Sequence, residues 1–184
     1  MDRGEEQALI ARVLTGDRRA ARTLYDAHAQ RTYRLAFRLT NDPTTAEEVT
    51  QDTFVKVFDR LSDFRRESQL ATWIYRVTVS LALNRIRGDR RQANREVGLD
   101  QAADYPVRTE SAEPDLKDRL RTAIAALPEL YRIPVILFDI EGRSHAEIAE
   151  MLGVPEGTCK SRLARARAQL REALTLFRPR PEEG

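Results

Sequence analysis

Apolar residues recur at helical spacing along most of the chain, in stretches separated by short polar segments. A repeat of three to four residues places such side chains on one face of an α-helix. The pattern predicts helices over residues 5–14, 18–39, 46–61, 70–87, 116–127 and 129–140, and two more within 142–174. We therefore expect an all-α fold.

Helix-breaking and helix-starting residues stand between these segments. Asn41-Asp42-Pro43 ends the second helix. Thr44 and Thr45 each precede a glutamate by three residues, which is the spacing of a capping box, so the third helix should begin near Ala46. Pro134 lies too deep for a first turn and should kink or restart its helix.

Residues 142–174 read as two helices joined by a tight turn. Ser144 and Glu147 have capping-box spacing, and Gly153 can end the first helix in the left-handed conformation. Pro155 suits the first turn of the second helix, where its missing N–H has no cost. The segment has the form of a helix-turn-helix.

The second helix of this pair has two unlike faces. From residue 156 to 174 it carries five Lys or Arg against two Glu, a net charge of +3. Its apolar stripe comprises Cys159, Leu163, Ala166, Leu170, Ala173 and Leu174. The opposite side comprises Gly157, Ser161, Ala164, Arg165 and Ala168, flanked by Lys160, Arg162, Arg167 and Arg171. A small-residue face edged by Arg and Lys suits a DNA major groove, whereas the alternative is a solvated basic face.

The third helix also has two faces. An apolar arc that should pack inward comprises Ala46, Val49, Thr53, Phe54, Val57, Phe58 and Leu61. The other side comprises Glu48, Gln51, Asp52, Val55 and Asp59, which periodicity alone would assign to a solvated acidic face. In the fourth helix, Trp73 is favoured as a core anchor over a platform for base stacking.

Residues 88–115 have little periodicity and carry four Arg against seven Asp or Glu, a net charge of −3. This composition predicts a flexible acidic linker between two small helical domains, 1–87 and 116–176. We expect residues 177–184 to form a disordered tail.

Bulk composition limits the possible functions. The 184 residues are 41% hydrophobic with a net charge of +2, and no apolar run approaches a membrane span of about 20 residues. No signal peptide opens the chain, and a single cysteine agrees with a reducing cytoplasm. Two isolated histidines give no metal-ligand spacing, and no catalytic grouping is evident. Cys159 is favoured as a small core residue, with a redox switch as the alternative.

Two separate sets of residues resemble the bacterial sigma-70 family, most closely its extracytoplasmic-function (ECF) group of RNA polymerase sigma factors. The first set lies at 46–49 (AEEV), 51–54 (QDTF) and 71–77 (ATWIYRV). The second lies at 126–129 (ALPE), 131–132 (YR), 141–142 (EG), 147–149 (EIA), 157–158 (GT), 160–163 (KSRL) and 165–167 (RAR). The resemblance covers about residues 20–87 and 116–174, in the order of sigma regions 2 and 4.

This resemblance implies a transcription initiation factor that is not an enzyme and needs no cofactor. It implies binding to core RNA polymerase, at the clamp of the largest subunit and the flap of the second largest, and to promoter DNA. It also implies a cognate anti-sigma factor. The protein would not be inserted in a membrane itself; it would be cytoplasmic, held at the inner face of the membrane where that regulator is membrane-bound.

The family's functional positions can be carried over to matching residues. The polymerase-binding set comprises Glu48, Gln51, Asp52, Val55 and Lys56. The set near the opened −10 element comprises Arg65, Arg66, Ser80 and Asn84, and Ser80 stands where the family usually has Asn. The −35 set comprises Lys160, Ser161 and Arg165 for bases, with Arg162 and Arg167 for phosphates. In the family the linker passes near the RNA path, although a plain tether accounts equally well for its charge.

Two other classes of protein remain open. A helix-turn-helix regulator would use residues 1–87 to sense a ligand or to dimerise, and would bind duplex DNA without polymerase. An enzyme is disfavoured because no nucleophile, base or metal grouping is visible.

Overall fold

The computed structural model describes residues 3–64, 68–96 and 116–175. Within these residues there are only helices and turns, which confirms the all-α prediction. The helices are α1 (Arg3–Leu14), α2 (Arg18–Thr40), α3 (Pro43–Asp59), α4 (Leu70–Glu96), α5 (Leu116–Ala126), α6 (Glu129–Val135), α7 (His145–Leu152) and α8 (Glu156–Thr175). A 3₁₀ turn spans Leu61–Asp63, and a π-helical turn spans Ile136–Ile140. The chain forms two compact units, Met1–Val97 and Gly98–Gly184.

The turn between α1 and α2 is closed by Asp17. Its carboxylate accepts hydrogen bonds from the backbone amides of Arg19 and Ala20, which would otherwise lack partners at the start of α2. The Arg12 guanidinium lies 2.7 Å from the same carboxylate and, with those amides, holds the pKa of Asp17 below its usual value. The chain turns between the first two predicted helices at Gly16, where φ is +85°.

The start of α3 differs from the prediction. The helix begins at Pro43 rather than near Ala46, and the carboxylate of Asp42 caps it by accepting from the amide of Thr45 at 2.6 Å. Asn41 ends α2 in the left-handed conformation, with φ 59°. Asp42 caps in place of Thr44 or Thr45 because Pro43 already has a helical φ and suits the first helical position.

Helices α2, α3 and α4 pack against one another and form the core of the first unit. The apolar arc of α3 is buried, apart from Phe58, which is half-buried. Trp73 packs at the edge of this core, half-buried, with its ring centroid 5.3 Å from that of Phe64. This position agrees with a packing role for Trp73.

Helix α4 continues to Glu96, so the predicted helix end at Arg87 is wrong. Gly88 marks no break, because its φ lies outside the left-handed range that helix-ending glycines adopt. The first part of the predicted 88–115 linker is therefore helical. The rest of that linker, residues 97–115, and the predicted tail at 177–184 lie outside the described residues.

In the second unit, Pro134 lies buried within α6, and the chain continues directly into the π-helical turn. Pro134 has no N–H to donate to the carbonyl one turn earlier, so the regular ladder is interrupted there. The chain then adopts i to i+5 bonding, in which the amide of Glu141 donates to the carbonyl of Ile136 at 2.9 Å. The interruption predicted at Pro134 thus takes the form of a widened turn.

The helix pair of residues 142–174 forms as predicted. Ser144 Oγ accepts from the Glu147 amide, and the Glu147 carboxylate accepts from the Ser144 amide at 2.9 Å, which completes the capping box. Gly153 ends α7 with φ +66°. Helix α8 begins at Glu156, one residue after Pro155, whose carbonyl accepts from the Cys159 amide.

Candidate nucleic-acid and polymerase interfaces

The exposed face of α8 is made of small and basic side chains. Ser161, Ala164, Arg165 and Ala168 are all exposed, while Cys159, Leu163, Ala166 and Leu170 are buried on the opposite side. Ala173 and Leu174, at the C-terminal end of the predicted stripe, are half-buried. Small side chains around Arg165 would let the helix backbone approach another surface closely. The arrangement has the form of a recognition helix.

Two predicted contacts at the start of α8 already have partners within the helix. The Lys160 ammonium lies 2.7 Å from the Glu156 carboxylate and lowers the pKa of that carboxyl. Ser161 Oγ donates to the carbonyl of Thr158 at 3.0 Å. Both side chains remain exposed, and a surface ion pair of this kind contributes little to stability, so each can exchange its partner for DNA.

Arg167 differs from the other arginines of α8 because it is fixed from outside the helix. Its guanidinium forms a two-pronged ion pair with Asp139 of the π-helical turn, with Nε donating at 3.2 Å. It also lies over the ring of Phe138, with 5.3 Å from Cζ to the ring centroid. Arg162 is half-buried. Neither residue is a fully solvated cation.

The buried thiol of Cys159 lies against His145. Its Sγ is 3.8 Å from Nδ1 of His145, whose ring stacks on Phe138 with centroids 4.4 Å apart. Cys159 has no exposed surface, and burial raises the pKa of its thiol. A buried thiol with a raised pKa has little thiolate and is a poor nucleophile, so the position is that of a core residue.

On α4, Ser80 and Asn84 are both exposed and lie one turn apart. Arg76 and Arg87, which the sequence prediction did not include, are also exposed and fall within about 80° of them on the helix. The spacing of three to four residues that links positions 76, 80, 84 and 87 is a sequence signal that could have identified Arg76 and Arg87. The other two predicted members of this site, Arg65 and Arg66, lie outside the described residues.

The predicted polymerase-binding face of α3 is a continuous exposed surface. Gln51, Asp52 and Val55 project from it, and Val55 is 61% exposed. Glu48 pairs with Arg85 of α4 at 2.6 Å, a contact between helices that no local sequence pattern indicates. Lys56 is half-buried at the edge of the face. A single exposed valine is ordinary on a protein surface, so exposure alone does not distinguish this face from a solvated acidic one.

Among the residues that the structure describes, neither a metal site nor a membrane span is found. Within 3–64, 68–96 and 116–175, no group of three His, Cys, Asp or Glu side chains could hold a metal ion. Among the helices that the structure describes, none combines the length and apolar character needed to cross a membrane.

Two family models match the chain, and together they cover both helical units. The model "Sigma-70 region 2" matches residues 24–92, and "Sigma-70, region 4" matches residues 117–170. The ECF RNA polymerase sigma factor SigM of Mycobacterium tuberculosis H37Rv is 34% identical over 173 residues, which cover 94% of this chain and 86% of that protein. The chain is an ECF sigma factor.

Other relatives agree with this assignment. SigE of Mycolicibacterium smegmatis, also an ECF RNA polymerase sigma factor, is 38% identical over 170 residues, which cover 87% of this ECF sigma factor and 65% of that longer protein. Among solved structures, the sigma factor RpoE of Bartonella quintana, crystallised with the anti-sigma factor NepR, is 26% identical with a TM-score of 0.58. The match covers 85% of this chain and 98% of that one.

The family matches place the candidate surfaces in distinct regions. The exposed faces of α3 and α4 belong to region 2 of this ECF sigma factor, and the exposed face of α8 belongs to region 4. The region 2 match ends at residue 92, inside α4, which agrees with a helix that continues beyond Arg87.

Proposed function

We propose that this ECF sigma factor binds core RNA polymerase, recognises the −35 and −10 elements of a promoter, and promotes transcription initiation. The observation that carries the proposal is the exposed face of α8. It presents Arg165 among small side chains, on a helix whose other side is buried in a capped helix-turn-helix. That face lies within region 4, in a chain that also has region 2.

At the −35 element, Lys160, Ser161 and Arg165 would contact base edges in the major groove. An arginine can pair with guanine through two hydrogen bonds, which gives sequence discrimination. Arg162 and Arg167 would contact phosphates, which hold the helix in register and make affinity depend on salt. The Arg167 side chain is already oriented by Asp139 and Phe138, and it would contact DNA from that position.

The polymerase would be bound through the exposed face of α3. Gln51 and Asp52 would make the central contacts, with Val55 contributing apolar area and Glu48 and Lys56 lying at the edges. Glu48 is also paired with Arg85 of α4, the helix whose exposed side carries Ser80 and Asn84. Docking at one helix would thus set the position of the other.

The opened −10 strand would lie near Ser80 and Asn84, with Arg65 and Arg66 of the preceding segment on its phosphates. Both polar side chains are exposed on one side of α4, and Arg76 and Arg87 add positive charge there. Basic groups flanking hydrogen-bonding side chains suit an unpaired strand. Ser80 is shorter than Asn, so its contact to a base would differ from that usual in the family.

Regulation by an anti-sigma factor is part of the proposal. The Bartonella quintana relative was crystallised with its anti-sigma factor NepR, and that relative shares this fold over most of both chains. A partner that covered the α3 face would exclude polymerase. We also propose that the protein acts in the cytoplasm and has no enzymatic activity of its own.

The test is transcription from a promoter library by purified core bacterial RNA polymerase, with and without this protein. The expected result is a set of protein-dependent starts that share a −35 and −10 pair. Absence of such starts, together with tight binding of the protein alone to duplex DNA, would instead identify a helix-turn-helix regulator.

A further inference from the structure

Helix α2 carries an arginine-rich surface that none of the sites above uses. From Arg18 to Thr40 it contains six arginines and a single acidic residue, Asp26. That aspartate is paired with Arg22 at 2.8 Å, and no acidic residue follows it within α2. Arg31, Arg34 and Arg38 follow at positions i, i+3 and i+7, which lie on one side of a helix, and all three are exposed.

An aromatic ring lies on the same side of α2. Phe37 is 37% exposed, a large fraction for a phenylalanine, and falls about 60° from Arg34 around the helix. The Tyr33 ring is nearly parallel to it, at an interplanar angle of 14° with centroids 6.2 Å apart. Phe37 is therefore supported on one side by Tyr33 and accessible to a second planar group. We refer to Arg31, Arg34, Phe37 and Arg38 as the α2 stripe.

Cations interleaved with an accessible ring match the chemistry of a single nucleic-acid strand. Arginines bind its phosphates, and an exposed ring stacks on a base, which an unpaired strand offers and a duplex does not. An acidic protein surface would satisfy the arginines, and protein interfaces also bury aromatic rings, but only a strand offers a phosphate and a planar stacking partner at every nucleotide. The combination therefore favours an unpaired strand.

We propose that the α2 stripe binds single-stranded nucleic acid, with Arg31 and Arg34 on phosphates and Phe37 stacked on one base. The inference deepens the proposed function and rests on it, because promoter opening is what would supply the unpaired strand. The contact is separate from that of Ser80 and Asn84, which lie on α4. It would lengthen the track of unpaired strand that region 2 can hold.

The test measures binding by the full chain alone, so that it depends on neither polymerase nor a promoter. A fluorescent 20-nucleotide single strand and its duplex are titrated from about 50 to 300 mM salt, with anisotropy as the readout. The variants are Arg31→Ala/Arg34→Ala and Phe37→Ala. The matched control is Arg18→Ala/Arg19→Ala, which removes the same charge from two exposed positions at the other end of α2.

For the single strand, loss of Arg31 and Arg34 should reduce the slope of log affinity against log salt by about 1.4, or about 0.7 for each phosphate contact. Phe37→Ala should weaken binding about 5- to 100-fold with an unchanged slope, because a stacked base is lost but no charge. Phe37→Trp should restore affinity. The Arg18/Arg19 control should leave the slope unchanged, and none of the alanine variants should shift the Trp73 fluorescence of the folded protein.

Three results would overturn the inference. One is no measurable single-strand binding by the wild-type chain at low salt. Another is an equal effect of both double variants, since that indicates diffuse charge rather than a site. The third is unaltered strand binding by the α2-stripe variants combined with weaker binding to core polymerase, which would assign the surface to a protein partner. Because transcription is measured separately, none of these results bears on the proposed sigma function.

Discussion

Replacing Gly88 with alanine tests directly whether α4 continues past the predicted domain boundary. A Cβ added at Gly88 would meet no atom within 4 Å, and the φ of this residue is not in the left-handed range. Alanine therefore fits without strain and loses less conformational entropy than glycine in a helix. We expect Gly88→Ala to stabilise the first unit by about 0.5–1 kcal/mol.

Gly153→Ala is the matched variant, for which we expect a change of opposite sign in the free energy of unfolding. A Cβ there would also meet no atom within 4 Å, but Gly153 has φ +66° at the end of α7. Alanine in the left-handed conformation costs about 1–2 kcal/mol, so this variant should destabilise the second unit. The same chemical change should thus give opposite effects that differ by about 2 kcal/mol, with backbone conformation as the cause.

Urea unfolding can follow the two units with different probes. Trp73 is the sole tryptophan and lies in the first unit, so its fluorescence reports on Gly88→Ala. Far-UV circular dichroism follows the helices of both units, so the part of its transition that Trp73 fluorescence does not share reports on Gly153→Ala. At a slope of about 1.5 kcal/mol per M, the Gly88→Ala midpoint should rise by about 0.3–0.7 M. A lowered midpoint would mean that the chain leaves the helix before Gly88. A raised midpoint for Gly153→Ala would refute the left-handed helix end.

Three further predictions concern the cap and the two interfaces. The hydrogen bond that the Glu147 carboxylate accepts from the Ser144 amide lowers the pKa of Glu147 below its ordinary value of 4.5. The ionised carboxylate therefore stabilises the folded state above pH 4.5, and this contribution is lost as pH falls through the lower folded pKa. In urea titrations at a series of pH values, the unfolding free energy should therefore decrease from about pH 5 downward more steeply in the wild type than in Glu147→Gln. Val55→Asp should abolish co-purification with core polymerase. It should leave the unfolding midpoint unchanged, because Val55 is 61% exposed. The control Leu14→Asp, at another exposed apolar position, should retain polymerase binding. Arg165→Ala should relax −35 discrimination by about 1–3 kcal/mol in competition binding by the holoenzyme. The control Arg162→Ala, at a proposed phosphate contact, should weaken cognate and scrambled sites equally, and equal losses for Arg165→Ala would remove it from the base-reading set.

Features that depend on a few neighbouring residues were predictable from the sequence. The capping box of Ser144 and Glu147 and the left-handed Gly153 both follow from residue type and spacing. The buried stripe of α8 follows from the helical period, because Cys159 and Leu163 lie one turn apart on the same side. These signals are local, so no tertiary contact is needed to interpret them.

Predictions failed where two local signals competed. Thr44 and Thr45 offered capping boxes, but Asp42 followed by Pro43 provided a better cap two or three residues earlier. Gly88 resembled a helix end, although an isolated glycine costs a helix only about 1 kcal/mol and the helix continues through it. In both cases the residue types were compatible with either structure.

Contacts between distant segments could not be predicted from pattern at all. Asp139 and Arg167 are 28 residues apart, and Glu48 and Arg85 lie on different helices, so neither pair follows a helical spacing. These contacts nevertheless involve residues of the proposed DNA-binding and polymerase-binding sites. Sequence pattern therefore proposes residues for the sites but does not predict the contacts that orient them.

The π-helical turn after Pro134 makes the number of residues in this segment important, and not only their identity. A π turn contains one more residue per loop than an α turn. That extra residue is contained within Ile136–Ile140, so deleting one residue there would return the segment to an α-helix and keep the chain that follows in phase with the chain before it. The contacts at risk are those made by the turn itself, of Phe138 with His145 and of Asp139 with Arg167. A one-residue deletion inside α8, by contrast, would rotate everything after it by about 100°.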